Sequence, residues 1–152
     1  MPHKIADEYK HNRARLTMIL MIGYPGVGKS VFVENMILPH GLVYVNRDTL
    51  KTMNKCINLA DISLKNGKSV VIDNTNPSRD VRKVFINVAK QYKARIIVFD
   101  FIADFEIAYR LNKARKESGL GHVLPVVAFV KFRMQYQPPH RDEGIHEIYH
   151  VE

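Results

Sequence analysis

Residues 16–30 read LTMILMIGYPGVGKS, a short apolar run followed at once by a glycine-rich turn. The apolar run, Leu16–Ile22, lacks the polar alternation of a half-exposed strand and predicts a strand that is buried on both faces. The turn, Gly23–Ser30, fits the pattern G-x-x-x-x-G-K-[ST], and the segment Lys29–Ile37 is predicted to be a helix. In this order of strand, turn and helix, the backbone N–H groups of the turn can surround phosphate oxygens.

The glycine-rich turn predicts a binding site for a nucleoside triphosphate. The Lys29 ammonium group would lie along the β- and γ-phosphates, and the Ser30 hydroxyl would ligate Mg²⁺. A glycine-rich turn that binds nothing is the alternative, but the motif and its context favour phosphate. The residues expected to hold the cofactor are Gly23, Tyr24, Pro25, Gly26, Val27, Gly28, Lys29, Ser30 and Val31.

Other apolar runs predict the remaining strands of the sheet: Leu42–Val45, Ser69–Ile72, Ala94–Ile102 and a weaker one near Ile145–Val151. Helical spacing between these runs indicates alternating strands and helices, which favours a parallel sheet. We predict an α/β P-loop NTPase-type kinase fold with a five-stranded, mostly parallel sheet, helices on both faces and a helical lid. Residues 1–152 form one predicted domain, with a polar N-terminal segment at 1–15 and the lid at about 104–124.

The composition narrows the class of protein further. The 152 residues have a hydrophobic content of 46%, which is enough for one core. The net charge of +8 suits a polyanionic partner, although basic proteins without a nucleic-acid role are also common. The single Cys56 cannot form an internal disulfide, and neither a signal peptide nor a membrane span is visible. An intracellular chain, in cytoplasm or nucleus and without a membrane partner, is therefore expected.

Two aspartates follow the second and third predicted strands, at the edge of a parallel sheet where ligands bind. Asp48 is the candidate general base, because a carboxylate beside an acceptor hydroxyl can orient it and take its proton. A helix cap for Thr49–Leu64 is the alternative for Asp48. Asp73 ends its strand like a Walker B carboxylate and could support Mg²⁺, or it could simply begin a turn with Asn74.

A cationic lid is predicted after the fourth strand. The segment Tyr109–Lys116 carries several basic residues, and a mobile lid often supplies positive charge to a transferring phosphoryl group. Arg115 is the first candidate for this role and Arg110 the second. A solvated basic helix face is the alternative.

The motifs GYPGVGKS (Gly23–Ser30), VNRDTL (Val45–Leu50) and VVIDNTNP (Val70–Pro77) resemble the kinase domain of the polynucleotide kinase/phosphatase family. The likeness extends from about Leu16 to the C-terminus. It implies that the chain binds ATP and Mg²⁺, that Asp48 is the base and that Arg115 is the lid arginine. It further implies a polynucleotide 5′-hydroxyl end as substrate, contacted by Arg47, Lys55 and Arg82. Lys51 is a further predicted nucleic-acid contact.

The sequence departs from this family at two places. The lid has Arg110-Leu111-Asn112 where the family typically has His-Asn-Asn, and Lys55 stands where an arginine contacts DNA. Lysine keeps the charge but loses the planar fork of donors. Two other functions remain open: a P-loop kinase for a small hydroxyl compound such as a nucleoside or sugar, and a non-catalytic nucleotide-binding module.

Overall fold

The computed structural model describes residues 15–119 and 124–152 of the chain. The predicted N-terminal segment 1–15 lies outside the described residues except for Arg15, as do residues 120–123 of the predicted lid.

The described residues form one sheet with the strand order β2-β3-β1-β4-β5. All four strand pairings are parallel. The central strand β1 is completely buried, which agrees with its unbroken apolar sequence. The strand bounds are Thr17–Ile22 (β1), Val43–Val45 (β2), Val70–Ile72 (β3), Arg95–Phe101 (β4) and Glu147–Val151 (β5).

Helices cover both faces of the sheet, as the sequence predicted. Phe32, Val33 and Ile37, which follow the glycine-rich turn, pack on one face. Side chains of α3, α4 and α6 pack on the other. The helix bounds are Lys29–Phe32 (α1), Arg47–Leu50 (α2), Met53–Lys65 (α3), Arg79–Gln91 (α4), Phe105–Ser118 (α5) and Val126–Gln135 (α6).

Some connections are tighter or looser turns than an α-helix. The predicted helix Lys29–Ile37 is α1 followed by a π-helical turn at Val33–Ile37, and a 3₁₀ turn follows at Leu38–His40. A second 3₁₀ turn, Arg141–Glu143, precedes β5. No helix in residues 15–119 and 124–152 is long and apolar enough to cross a lipid bilayer.

The helix predicted to begin near Asp48 is divided in two. Asn46 caps α2 by accepting a hydrogen bond from the Thr49 backbone N–H, and Thr52 caps α3. Between them Lys51 has a φ of 79°, which interrupts the helix. The interpretation of Asp48 as a helix cap is therefore wrong, because that role belongs to the neighbouring Asn46.

Candidate active site

A cleft of about 730 Å³ lies at the carboxyl ends of β1, β2 and β3, with α5 and α6 on its far side. This is the edge of a parallel sheet where ligands are expected. Most of the predicted site residues line it, and they come from four separate stretches of sequence: Pro25, Gly26, Gly28, Lys29, Ser30, Val31, Arg47, Asp48, Asp73 and Arg115.

The glycine-rich turn joins β1 to α1 at the floor of the cleft. Gly28 has a φ of 98° at the first turn of α1, a conformation that a side chain would strain. Gly26 has a φ of 80°, and a Cβ atom there would lie 2.8 Å from Arg115 Nη1. The backbone conformation therefore requires glycine at position 26, and a side chain there would also displace the Arg115 guanidinium group.

Lys29 is nearly buried, with 6% of its surface exposed. Its Nζ donates hydrogen bonds to the carbonyl oxygens of Gly23 at 2.9 Å and Tyr24 at 2.6 Å. Burial lowers the pKa of Lys29 to about 8, with nearby Arg115 acting in the same direction and Asp73 opposing it. The two carbonyl oxygens bonded to Nζ are neutral, so anionic phosphate oxygens nearby would supply the negative charge that stabilises this ammonium group.

Ser30, Asp73 and Tyr44 form one hydrogen-bonded cluster beside the glycine-rich turn. The Ser30 hydroxyl donates to Asp73 Oδ2 at 2.9 Å, and the Tyr44 hydroxyl donates to the same oxygen at 2.7 Å. Burial, and then the bond to Asp73, raises the pKa of the Tyr44 hydroxyl, so it remains a donor. Because the Ser30 hydroxyl donates its hydrogen bond to Asp73, its oxygen lone pairs are available to a hard cation.

The ends of β2 and β3 are joined by asparagine side chains. Asn46 Nδ2 donates to the Asp73 backbone carbonyl at 2.6 Å, and Asn74 Oδ1 accepts from the Arg47 N–H at 2.9 Å. These bonds fix the short helix α2, on which Asp48 is exposed at the wall of the cleft. The predicted base therefore lies on an anchored element and faces the same space as Lys29.

Arg115 of α5 reaches the glycine-rich turn, since its Nη2 donates to the Gly26 carbonyl at 3.0 Å. The lid helix is also held to the segment before α6, because the Asn112 side chain exchanges two hydrogen bonds with the Leu124 backbone. Arg110, the second candidate, forms an exposed pair with Glu106 at 4.0 Å. The geometry therefore favours Arg115 over Arg110 as the lid cation.

Arg82 does not face the cleft, and its burial contradicts the predicted contact with nucleic acid. None of its surface is exposed, and its guanidinium group forms an ion pair with Glu143. The remaining N–H groups donate to the backbone carbonyls of Asn76, Pro77 and Gln137. All five N–H groups of this arginine are thus used within the protein, and none is left for a phosphate.

Other predicted residues lie near the cleft without lining it. Gly23 and Tyr24 contribute their carbonyl oxygens to Lys29, while the Tyr24 ring packs in the core, 4.4 Å from the ring centroid of Phe132. Lys51 and Lys55 are exposed beyond the cleft, on either side of the α3 cap. Val27 packs against the core rather than the cleft.

Several cleft residues escaped the sequence analysis. Lys131 and Gln135 of α6 line the wall, and no motif marks them. Asn76 is buried with a φ of 46°, and its Nδ2 donates to the Met21 carbonyl. Its position in the motif NTNP (Asn74–Pro77), directly after a predicted strand, was the sequence signal that could have identified it. Apolar side chains also border the cleft, namely Met53, Val81, Leu124 and Ala128.

The sheet order and the glycine-rich turn after β1 define a P-loop fold of the kinase type. A gluconokinase from Sinorhizobium meliloti 1021 superimposes with a TM-score of 0.65 and 14% sequence identity, covering 89% of this chain and 81% of that one. The sheet order, the parallel pairings and this likeness confirm the predicted fold class.

Comparison of sequences identifies the family. The family model described as an AAA domain matches residues 51–139, and the chain belongs to that family. A putative bifunctional polynucleotide phosphatase/kinase of Acanthamoeba polyphaga mimivirus is 38% identical over 97% of this chain. The bifunctional polynucleotide phosphatase/kinase of Schizosaccharomyces pombe is 37% identical over 88% of it. The chain spans 38% and 33% of these relatives, respectively, and the predicted resemblance is confirmed.

Proposed function

We propose that this chain transfers the γ-phosphoryl group of ATP to the 5′-hydroxyl end of a polynucleotide. One observation carries the proposal: Lys29 and Ser30, the carboxylate of Asp48 and the guanidinium of Arg115 border a single cleft. Phosphoryl transfer requires little more than such positioning and charge stabilisation. The two relatives named as polynucleotide phosphatase/kinases support a polynucleotide as the acceptor.

The donor side is formed by the glycine-rich turn. Its backbone N–H groups and the Lys29 ammonium group bind the β- and γ-phosphates of ATP. Ser30 and Asp73 would hold Mg²⁺, and the hydroxyl-to-carboxylate bond between them fits this role. When bound, Mg²⁺ neutralises charge on the phosphate oxygens. No cluster of three His, Cys, Asp or Glu side chains occurs in the described residues, so phosphate and water oxygens would complete the coordination.

The acceptor side is formed by α2. Asp48 accepts a hydrogen bond from the 5′-hydroxyl group and aligns its oxygen with the γ-phosphorus. It receives the hydroxyl proton as the new P–O bond forms and the bond between the γ-phosphorus and the β–γ bridging oxygen breaks, which releases ADP. Arg115, already bonded to the glycine-rich turn, stabilises the equatorial oxygens of the transferring group. The carboxylate and the guanidinium therefore act from opposite sides of the cleft.

The nucleic-acid strand would follow the basic residues around this cleft. Arg47 lines it, and Lys51 and Lys55 are exposed beyond it. Lys131 adds a cation on the opposite wall. Each phosphate contact releases counterions, so transfer to a polynucleotide should weaken steeply as the salt concentration rises.

A transfer assay tests the proposal. ATP labelled at the γ-phosphate is offered with Mg²⁺ to 5′-hydroxyl DNA and RNA oligonucleotides and to free nucleosides. We expect label on the oligonucleotides and a loss of transfer of roughly 100-fold or more in Asp48→Asn, with ATP affinity nearly unchanged. Asp80→Asn is the matched control, because Asp80 is an exposed aspartate in the first turn of α4 and does not line the cleft.

Three results would contradict this assignment. Label on free nucleosides alone, with no dependence on salt, would indicate a small-molecule kinase. ATP binding without transfer to any acceptor would indicate a non-catalytic module. An equal loss of ATP affinity in Asp48→Asn would mean that Asp48 does not act on the acceptor.

A further inference from the structure

Asp73 is fixed at more points than a strand-end residue requires. Its backbone N–H donates to the Val45 carbonyl at 2.8 Å, and its own carbonyl accepts from Asn46 Nδ2 at 2.6 Å. Its side chain is held at Oδ2, which accepts from both Ser30 and Tyr44. The residue is only 3% exposed, so its carboxylate has a defined orientation.

The two donors meet on one carboxylate oxygen. A carboxylate oxygen has two lone pairs, and at Oδ2 both are directed to hydroxyl groups. No residue in the described part of the chain donates a hydrogen bond to Oδ1, which therefore keeps its lone pairs for the cleft side. Tyr44 and Ser30 together occupy Oδ2, which leaves Oδ1 as the available oxygen.

We propose that Tyr44 is a positioning residue for the cation site, holding the Asp73 carboxylate so that Oδ2 accepts the hydrogen bond from Ser30 and Oδ1 faces the metal–nucleotide complex. This inference rests on the proposed function, because it assigns Tyr44 to the same donor site. Groups that orient the ligands of a metal typically change metal affinity or activity by roughly 10- to 100-fold when they are removed.

A role in packing alone is the competing explanation. Tyr44 is half-buried in β2 and packs against the hydrophobic cluster on the α1 face of the sheet. Tyr44→Phe keeps the ring and removes only the hydroxyl, so it separates the two roles. In this variant Asp73 Oδ2 retains only the Ser30 donor, so the orientation of the carboxylate is less constrained.

The test measures divalent-cation binding as well as transfer. Mn²⁺ binding to the protein with a non-hydrolysable ATP analogue is followed by electron paramagnetic resonance, and transfer is measured against Mg²⁺ concentration. For Tyr44→Phe we expect both half-saturation concentrations to rise roughly tenfold. The affinity for the nucleotide without a divalent cation should stay within about twofold, because the glycine-rich turn and Lys29 are untouched.

Tyr136→Phe is the matched control. Its hydroxyl donates to Oδ2 of Asp100 at 2.8 Å, a carboxylate that is 2% exposed and does not line the cleft. This variant loses an equivalent bond, and its cation dependence should equal that of the unmodified protein. If both variants lose thermal stability and neither changes the cation midpoint, Tyr44 is structural and the inference is overturned.

The two proposals can fail independently. If no acceptor takes label, the kinase assignment fails, while the Mn²⁺ measurement still reports on Tyr44. If transfer occurs and Tyr44→Phe binds Mn²⁺ normally, the kinase assignment stands and the positioning role is refuted.

Discussion

Replacing Arg82 with methionine tests the buried ion pair that lies beneath the cleft. The substitution removes five hydrogen bonds and leaves the Glu143 carboxylate, which has 5% of its side chain exposed, without its partner. Breaking a buried pair in this way costs roughly 3–5 kcal/mol, because the remaining charge is uncompensated. For a chain of this size, that loss corresponds to a fall in melting temperature of roughly 6–20 °C.

The assay is thermal and urea unfolding followed by circular dichroism, with Arg79→Met as the matched control. Arg79 lies three residues earlier on the same helix and pairs with Asp142 at 2.8 Å, but both side chains are substantially exposed, at 42% and 57%. An exposed pair of this kind is worth about 0–1 kcal/mol. The control should therefore melt within a few degrees of the unmodified protein.

Equal melting temperatures for Arg82→Met and Arg79→Met would refute the reasoning. So would an Arg82→Met variant that keeps its stability but loses salt-dependent binding of oligonucleotides, since that is the behaviour of a phosphate contact. Because Arg82 also holds the Asn76 and Pro77 carbonyls at the edge of the cleft, we expect transfer to fall together with stability.

Three further predictions concern the cleft. The pKa of Lys29 is about 8 and bound phosphates should raise it, so ATP binding should take up a proton near pH 8.5 and weaken at higher pH. Calorimetry in buffers of different ionisation enthalpy measures this proton uptake, and its absence would contradict the prediction. Gly26→Ala should weaken ATP binding more than Gly67→Ala, because both glycines have positive φ but only the Cβ at 26 would meet a side chain, that of Arg115. Asn46→Ala should lower unfolding free energy by about 1 kcal/mol and slow transfer, and unchanged thermal melting would argue against its capping role.

The strands could be predicted closely from sequence. Four predicted runs agree with β1 to β4 within one residue at each end, and the last strand begins two residues later than expected. Parallel strands buried on both faces have nearly continuous apolar sequences, so their signal is local. The glycine-rich turn could be predicted equally well, because phosphate binding requires glycine at particular positions of the backbone.

The errors and omissions come from partners that are distant in sequence. Arg82 is one of several basic residues on α4, but its ion-pair partner is 61 residues away, so no local pattern shows that it is buried. Tyr44 was predicted only as part of a strand, because its partner Asp73 follows another strand, 29 residues later in the sequence. The roles of Asp48, Arg115 and the residues of the glycine-rich turn in catalysis and binding stay predictions that the proposed assays test.

The position of β3 between β2 and β1 makes the folding of the sheet depend on contacts between residues that are distant in sequence. β1 and β2 follow one another in the sequence but are not neighbours in the sheet, because residues 70–72 lie between them and form backbone hydrogen bonds with both. Such non-local pairing slows folding and leaves strand edges unpaired in the meantime. Asp73 directly follows the strand that fills this gap, so the pairing of β3 with both neighbours brings the glycine-rich turn after β1 and the short helix after β2 to the same edge of the sheet.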